Sequence, residues 1–178
     1  NEGTMTQSVS GDFNLDSNSS AGGGTLLNTG TWNQTGASTF LNNNGDGQID
    51  NYGLWHISAG NSSNAAFFTH RANSNFRVTG GQMIFTGSSV MEADATVDAD
   101  GGYLYFSTGT HTLEGGNITG DTYVYSSNGT TNVTGDVGAT SGAATGGYGI
   151  TGGTLTGSAM ISVDHGYFSS GNMGGTVT

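Results

Sequence analysis

The 178-residue sequence has no cysteine, no proline and no lysine. Arg71 and Arg77 are its only strong bases, set against 13 carboxylates, and the formal charge is −11. Each absence excludes something. Without cysteine there is no disulfide framework and no thiolate-held zinc or iron–sulfur centre. With two strong bases there is almost nothing to displace counterions from a phosphate backbone, so nucleic acid is excluded as a partner. The same deficit argues against an anionic membrane surface. No run approaches the roughly 20 apolar residues of a membrane-spanning helix, so direct membrane insertion is not expected. No export signal or anchor is visible, and the first residue is Asn1 rather than Met, so the chain reads as a segment or a fibre protomer.

Glycine is abundant, at 34 residues, yet 33% of the chain is apolar and 10% aromatic, enough to bury a narrow core. Glycine, Thr, Ser and Asn are poor helix formers. Short alternating stretches dominate instead, among them Tyr103 to Phe106, Thr122 to Tyr125, Thr154 to Thr156 and Met160 to Val163. Period-two alternation punctuated by glycine or Asn-Gly is a strand signal. The punctuation recurs. Gly80-Gly81-Gln82-Met83 returns as Gly101-Gly102-Tyr103-Leu104, 21 residues on, and Gly30-Thr31-Trp32 returns as Gly53-Leu54-Trp55, 23 on, with Phe76 next in phase. Gly152-Gly153-Thr154-Leu155-Thr156 matches Gly174-Gly175-Thr176-Val177-Thr178, 22 on. A repeat of 20–23 residues fits one coil of a β-solenoid. Roughly eight such coils, stacked at about 4.8 Å, make a rod about 40 Å long.

The composition agrees. Corners need glycine or asparagine at positive φ, proline would remove ladder donors, and stacked like charges would repel. Met91, Ala93, Ala95, Val97 and Ala99 are the expected inward residues of their stretch, as are Leu104 and Phe106 of theirs. Residues 1–178 read as one solenoid domain. A protruding loop is expected at 61–75, which holds Phe67, Phe68, His70 and Arg71, and an irregular stretch at 138–149.

Asn28-Thr29-Gly30-Thr31-Trp32-Asn33, Asn51-Tyr52-Gly53-Leu54-Trp55, the run Tyr103 to Leu113, Gly115-Gly116-Asn117-Ile118-Thr119-Gly120 and Gly152 to Gly157 share a style. It resembles the repetitive β-helix regions of large bacterial surface and secreted proteins, of the autotransporter-passenger and filamentous-haemagglutinin kind. The resemblance covers about three quarters of the chain and brings no catalytic motif. It implies a right-handed parallel β-helix outside the cell, serving as stalk, adhesin or matrix fibre.

Four features are candidate sites. Glu92, Asp94, Asp98 and Asp100 alternate and so are expected on one outward face, where hard oxygen ligands suit Ca²⁺; a solvated acidic stripe is the plainer reading. Asn42, Asn44, Asp46 and Asp50 match the front of a calcium loop, with Gly47 at the sixth place, but Gly53 stands where a bidentate Glu belongs. A tight corner accounts for them as well. Tyr103, Tyr105, Tyr123 and Tyr125 are expected to stack into an exposed ladder, suited to sugar stacking, a protein contact or simple cross-strand packing. Thr176, Val177 and Thr178 stop in mid-pattern without a cap, a template for end-to-end stacking of another copy.

No nucleophile–His–acid spacing accompanies His56, His70, His111 or His165, and no enzyme activity is expected. The leading expectation is a structural extracellular or cell-surface solenoid that self-associates into a filament or stalk, head to tail or laterally. A polysaccharide-binding adhesin segment is the alternative, and a β-helix polysaccharide lyase or hydrolase a weaker one. No cofactor beyond the possible Ca²⁺ is implied.

Overall fold

The computed structural model describes residues 1–8, 10–15, 23–42, 45–139 and 147–178. Among these the regular elements are 25 strands of two to four residues. They stack into three parallel sheets of nine, eight and eight strands, and the chain visits the sheets in rotation. One circuit shows the rule. Asn75–Val78 lies in the first sheet, Gln82–Phe85 in the second and Ser89–Met91 in the third. Thr96–Ala99 then returns to the first sheet beside Asn75–Val78. The molecule is a parallel β-solenoid with about 21 residues per coil.

Register stacks one inward residue of each coil on the next. Down the inside of the first sheet run Trp32, Trp55, Phe76, Val97, Ile118 and Ala139, each opposite the next. The second sheet contributes Phe13, Phe40, Asn64, Phe85, Phe106, Ser126, Ile150 and Phe168. The third contributes Leu26, Ile49, Phe68, Ser89, His111, Thr131, Leu155 and Met173. The bore is therefore most aromatic in the coils of Trp32 to Phe76, and the first-sheet side chains become smaller toward Ala139. Trp32 and Trp55 stack with ring centroids 4.9 Å apart and planes 14° apart. A second column in the third sheet is polar and buried. Asn28 Nδ2 donates to Asn51 Oδ1 at 2.7 Å, and Asn51 Nδ2 donates to His70 Nδ1 at 3.2 Å. An amide can donate to one neighbour and accept from the other, so such a ladder satisfies itself coil by coil.

Corners are tight enough to demand glycine at named points. Gly81 has φ +72°, and a Cβ placed there would run into the Gly60 carbonyl oxygen of the neighbouring coil. Backbone cannot retreat from backbone inside a ladder. Gly81→Ala is expected to destabilise the protein by more than about 1 kcal/mol, read as a lowered denaturant midpoint with an unchanged m-value.

Several sequence expectations need correction. Residues 61–75 are not a protruding loop: Asn61–Asn64 and Phe67–His70 are ladder strands, and Phe68, Asn64 and His70 are buried in the bore. The aromatic and basic residues there looked loop-like, but Phe68 fills the core while Arg71 turns outward. Ala93 is exposed rather than inward, because the chain turns a corner at Ala93-Asp94, with Asp94 at φ 65°. The ten-residue alternation is thus two strands on different walls. The two Gly-Gly-Thr motifs are not stacked either. Thr154 pairs with Asn172 in the third sheet, whereas Thr176 pairs with Met160 in the first. Of the stretch 138–149, residues 140–146 lie outside the described residues, while Val137–Ala139 and Gly147–Ile150 are strands.

Candidate functional site

Alternation along the second sheet sends Leu104, Phe106 and Val124 inward and Tyr103, Tyr105, Tyr123 and Tyr125 outward. The outward residues form two columns along the rod. One runs from Thr39 through Ser63 and Ile84 to Tyr105, Tyr125, Gly149 and Tyr167. The other carries Asn61, Gln82 and Tyr103, with Tyr123 opposite Gly147. Tyr105 and Tyr125 stack at 5.1 Å with planes 15° apart, and Tyr123 and Tyr125 at 5.6 Å and 29°. Tyr103 lies 6.3 Å from Tyr125 at 29°. Tyr103 and Tyr167 are the most open, 43% and 49% exposed.

Glycine holds the platform flat. A Cβ on Gly149 would meet Tyr125 Cδ1 at 2.5 Å and Cε1 at 2.6 Å, so the Tyr125 ring lies down over bare backbone. Partial burial and the neighbouring Tyr103 raise the pKa of the Tyr105 phenol. Partial burial and the surrounding tyrosines do the same for Tyr125. Both hydroxyls therefore stay neutral well above neutral pH. From Thr39 to Tyr167 the first column has no charged side chain, nor has the second from Asn61 to Gly147; Asp12 stands beyond Thr39. In a chain of net charge −11 this stretch of the wall is uncharged.

Elsewhere, each arginine is paired with carboxylates of neighbouring coils. Arg71 Nη2 contacts Asp50 Oδ1 at 2.7 Å and its Nη1 contacts Glu92 Oε1 at 2.7 Å. Burial opposes ionisation of Glu92, but the Ala72 amide and Arg71 together hold its pKa below the usual range. Arg77 contacts Asp98 at 3.0 Å and Asp100 at 3.4 Å. Glu92, Asp94, Asp98 and Asp100 consequently do not share one face, since the corner at Asp94 separates Glu92 on the third wall from Asp98 on the first. At the other calcium candidate, Asn42 accepts from the Gly47 amide at 2.7 Å, and Asp50 accepts from Gln48 as well as Arg71. Asn44 lies outside the described residues, and Asp46 is exposed. Among the described residues no three His, Asp or Glu side chains are grouped to hold a metal.

Thr176 and Val177 form the outermost strand of the first sheet, paired on one side with Met160–Val163. Thr178 O accepts from Val163 N at 2.8 Å.

Sequence reasoning missed Tyr167 as a member of the platform. Gly149 stands between Tyr125 and Tyr167 in the column, and that gap breaks the even spacing of Tyr105 and Tyr125. It also missed that Arg71 bridges two coils; the 21-residue offsets Asp50–Arg71–Glu92 carry that signal. No family model matches this chain, and no curated protein or solved structure is significantly similar to it.

Proposed function

We propose that this chain is a structural, non-enzymatic solenoid of the cell surface or extracellular matrix, of the kind built by repetitive regions of large bacterial surface proteins, and that it extends by stacking head to tail on copies of itself. One observation carries this reading: the two ends of the bore match. The second-sheet column begins with Phe13 and finishes with Phe168, and the third-sheet column begins with Leu26 and finishes with Met173. Phe168 and Met173 are 53% and 48% exposed, and with Ile150 and Val177 they line an open apolar hollow. Laying Phe168 over Phe13 and Met173 over Leu26 of the next copy continues both columns and pairs the free edge strands. Such a contact is heterologous and does not close, so it yields a filament.

The purified protein is expected to form filaments visible by negative-stain electron microscopy, with mass rising with concentration in light scattering. Phe168→Asp with Met173→Asp puts two carboxylates into the joint and is expected to leave a folded monomer. Wild-type protein that stays monomeric at high concentration, or a double variant that still polymerises, would overturn the reading.

A further inference from the structure

We propose that the outer face of the second sheet is a binding surface for a neutral polysaccharide chain, lying along the rod over Tyr105, Tyr125 and Tyr167. This goes beyond the filament reading: Tyr105 and Tyr125 lie away from the joint, and only Tyr167, which also lines the terminal hollow, borders it. Three observations meet here. First, the rings of Tyr105 and Tyr125 are nearly parallel, 15° apart and offset-stacked at 5.1 Å, and only partly buried, and the ladder they build with Tyr103 and Tyr167 is open to solvent at those two rings, 43% and 49% exposed. The electron-rich face of an aromatic ring attracts the polarised C–H bonds on the flat side of a pyranose. Second, the site is preorganised. Gly149 lets the Tyr125 ring lie flat, and the ladder beneath fixes ring spacing, so little side-chain freedom is lost on binding. Third, charge selects the occupant. This stretch of the wall is uncharged while the molecule as a whole carries −11. An acidic polysaccharide would be repelled by the field of the whole chain. A neutral polyhydroxylated chain loses nothing, and Gln82 and the phenol hydroxyls offer it donors and acceptors. The adjoining corner carboxylates are engaged: Asp121 accepts from the Gly101 amide at 2.8 Å, and Asp100 faces Arg77.

The test is affinity electrophoresis in native gels containing dextran, galactomannan or xyloglucan, with polygalacturonate as the acidic counterpart. The joint variant Phe168→Asp/Met173→Asp serves as the parent, so polymerisation does not enter. At least one neutral polysaccharide is expected to retard the protein, and polygalacturonate is not. Tyr105→Ala or Tyr125→Ala is expected to weaken retardation about three- to tenfold, the effect of losing one aromatic contact. Tyr125→Phe should retain most of it. Gly149→Ala, which tilts Tyr125 without itself meeting the sugar, should weaken binding while circular dichroism stays that of a β-solenoid. Absence of retardation by all three neutral polymers, equal retardation by polygalacturonate, or undiminished binding by both tyrosine variants would each overturn the proposal. A tyrosine variant that instead changes the polymerisation of wild-type protein would assign the face to contacts between copies and equally overturn it. If the wild-type protein proves monomeric, the filament reading fails and the retardation measurements still stand, with wild-type protein as the parent.

Discussion

Lowering the pH from 7.5 to 5 is expected to reduce the unfolding free energy by about 4 kcal/mol through two buried imidazoles. His70 is 3% exposed and His111 is fully buried. Burial lowers both pKa values from 6.5 to about 4. Each neutral ring has a partner at both nitrogens. His70 Nε2 donates to Thr96 O at 2.8 Å while its Nδ1 accepts from Asn51. His111 Nε2 donates to Thr108 O at 3.0 Å while its Nδ1 faces the Ser89 hydroxyl at 2.9 Å. The Thr96 carbonyl and the charge of Glu92 pull the other way on His70, as the Thr108 carbonyl does on His111, and burial outweighs them. Because the folded pKa is depressed, the unfolded chain binds more protons between pH 6.5 and about 4. Stability is therefore complete above that window and is lost as pH falls through it. At about 1.36 kcal/mol per unit, each ring contributes about 2 kcal/mol of the loss by pH 5. Urea unfolding at several pH values measures this directly. His70→Gln and His111→Gln keep a donor and an acceptor but do not titrate, so each should remove about half of the slope. A double variant with the wild-type slope would show that the imidazoles are not responsible.

Trp55→Ala is expected to destabilise the protein by about 3–5 kcal/mol, the range for a deleted core aromatic. Trp55 is fully buried. It stacks on Trp32 and meets Phe40 and Phe68 edge-on at 5.4 and 5.6 Å. The ladder above and below prevents the walls from collapsing into the space left behind, so both the transfer and the cavity contributions apply. For a chain of this size that corresponds to a fall of about 6–20 °C in Tm. Trp55→Phe should cost much less. The buried indole N–H has no hydrogen-bond partner among the described residues, so its removal leaves no acceptor stranded. Equal losses for the two substitutions would show that packing volume is not what the site supplies.

The contrast between these residues and the misread ones shows what a coil hides. Trp32, Trp55 and Phe76 sit at nearly constant spacing because a column needs one residue per circuit, and that spacing is visible in the chain. The inward direction of Leu104 and Phe106 follows from alternation for the same reason. Alternation says nothing about corners. Met91 to Asp100 alternates throughout, yet Asp94 at φ 65° turns the chain onto another wall, and the carboxylates part company. The paired Gly-Gly-Thr motifs each precede a strand, but the coil between them is short, so they open strands on different walls. Phe68 and Phe67 are identical in sequence terms, and only the bore decides that Phe68 is 2% exposed and Phe67 39%.

Composition and period alone determined that this chain coils into a parallel β-solenoid: glycine supplies corners, missing proline leaves every ladder donor in place, and low charge permits stacking. They also determined that four tyrosines share an outward face, because residues two apart in a strand point the same way. Tertiary structure decided the rest. It placed Tyr167 beyond Gly149 on that face, turned His70 and His111 into neutral core residues, and bound Arg71 and Arg77 to carboxylates from other coils. Those outcomes depend on which residues from successive circuits meet, and drifting coil lengths make that register a property of the folded rod.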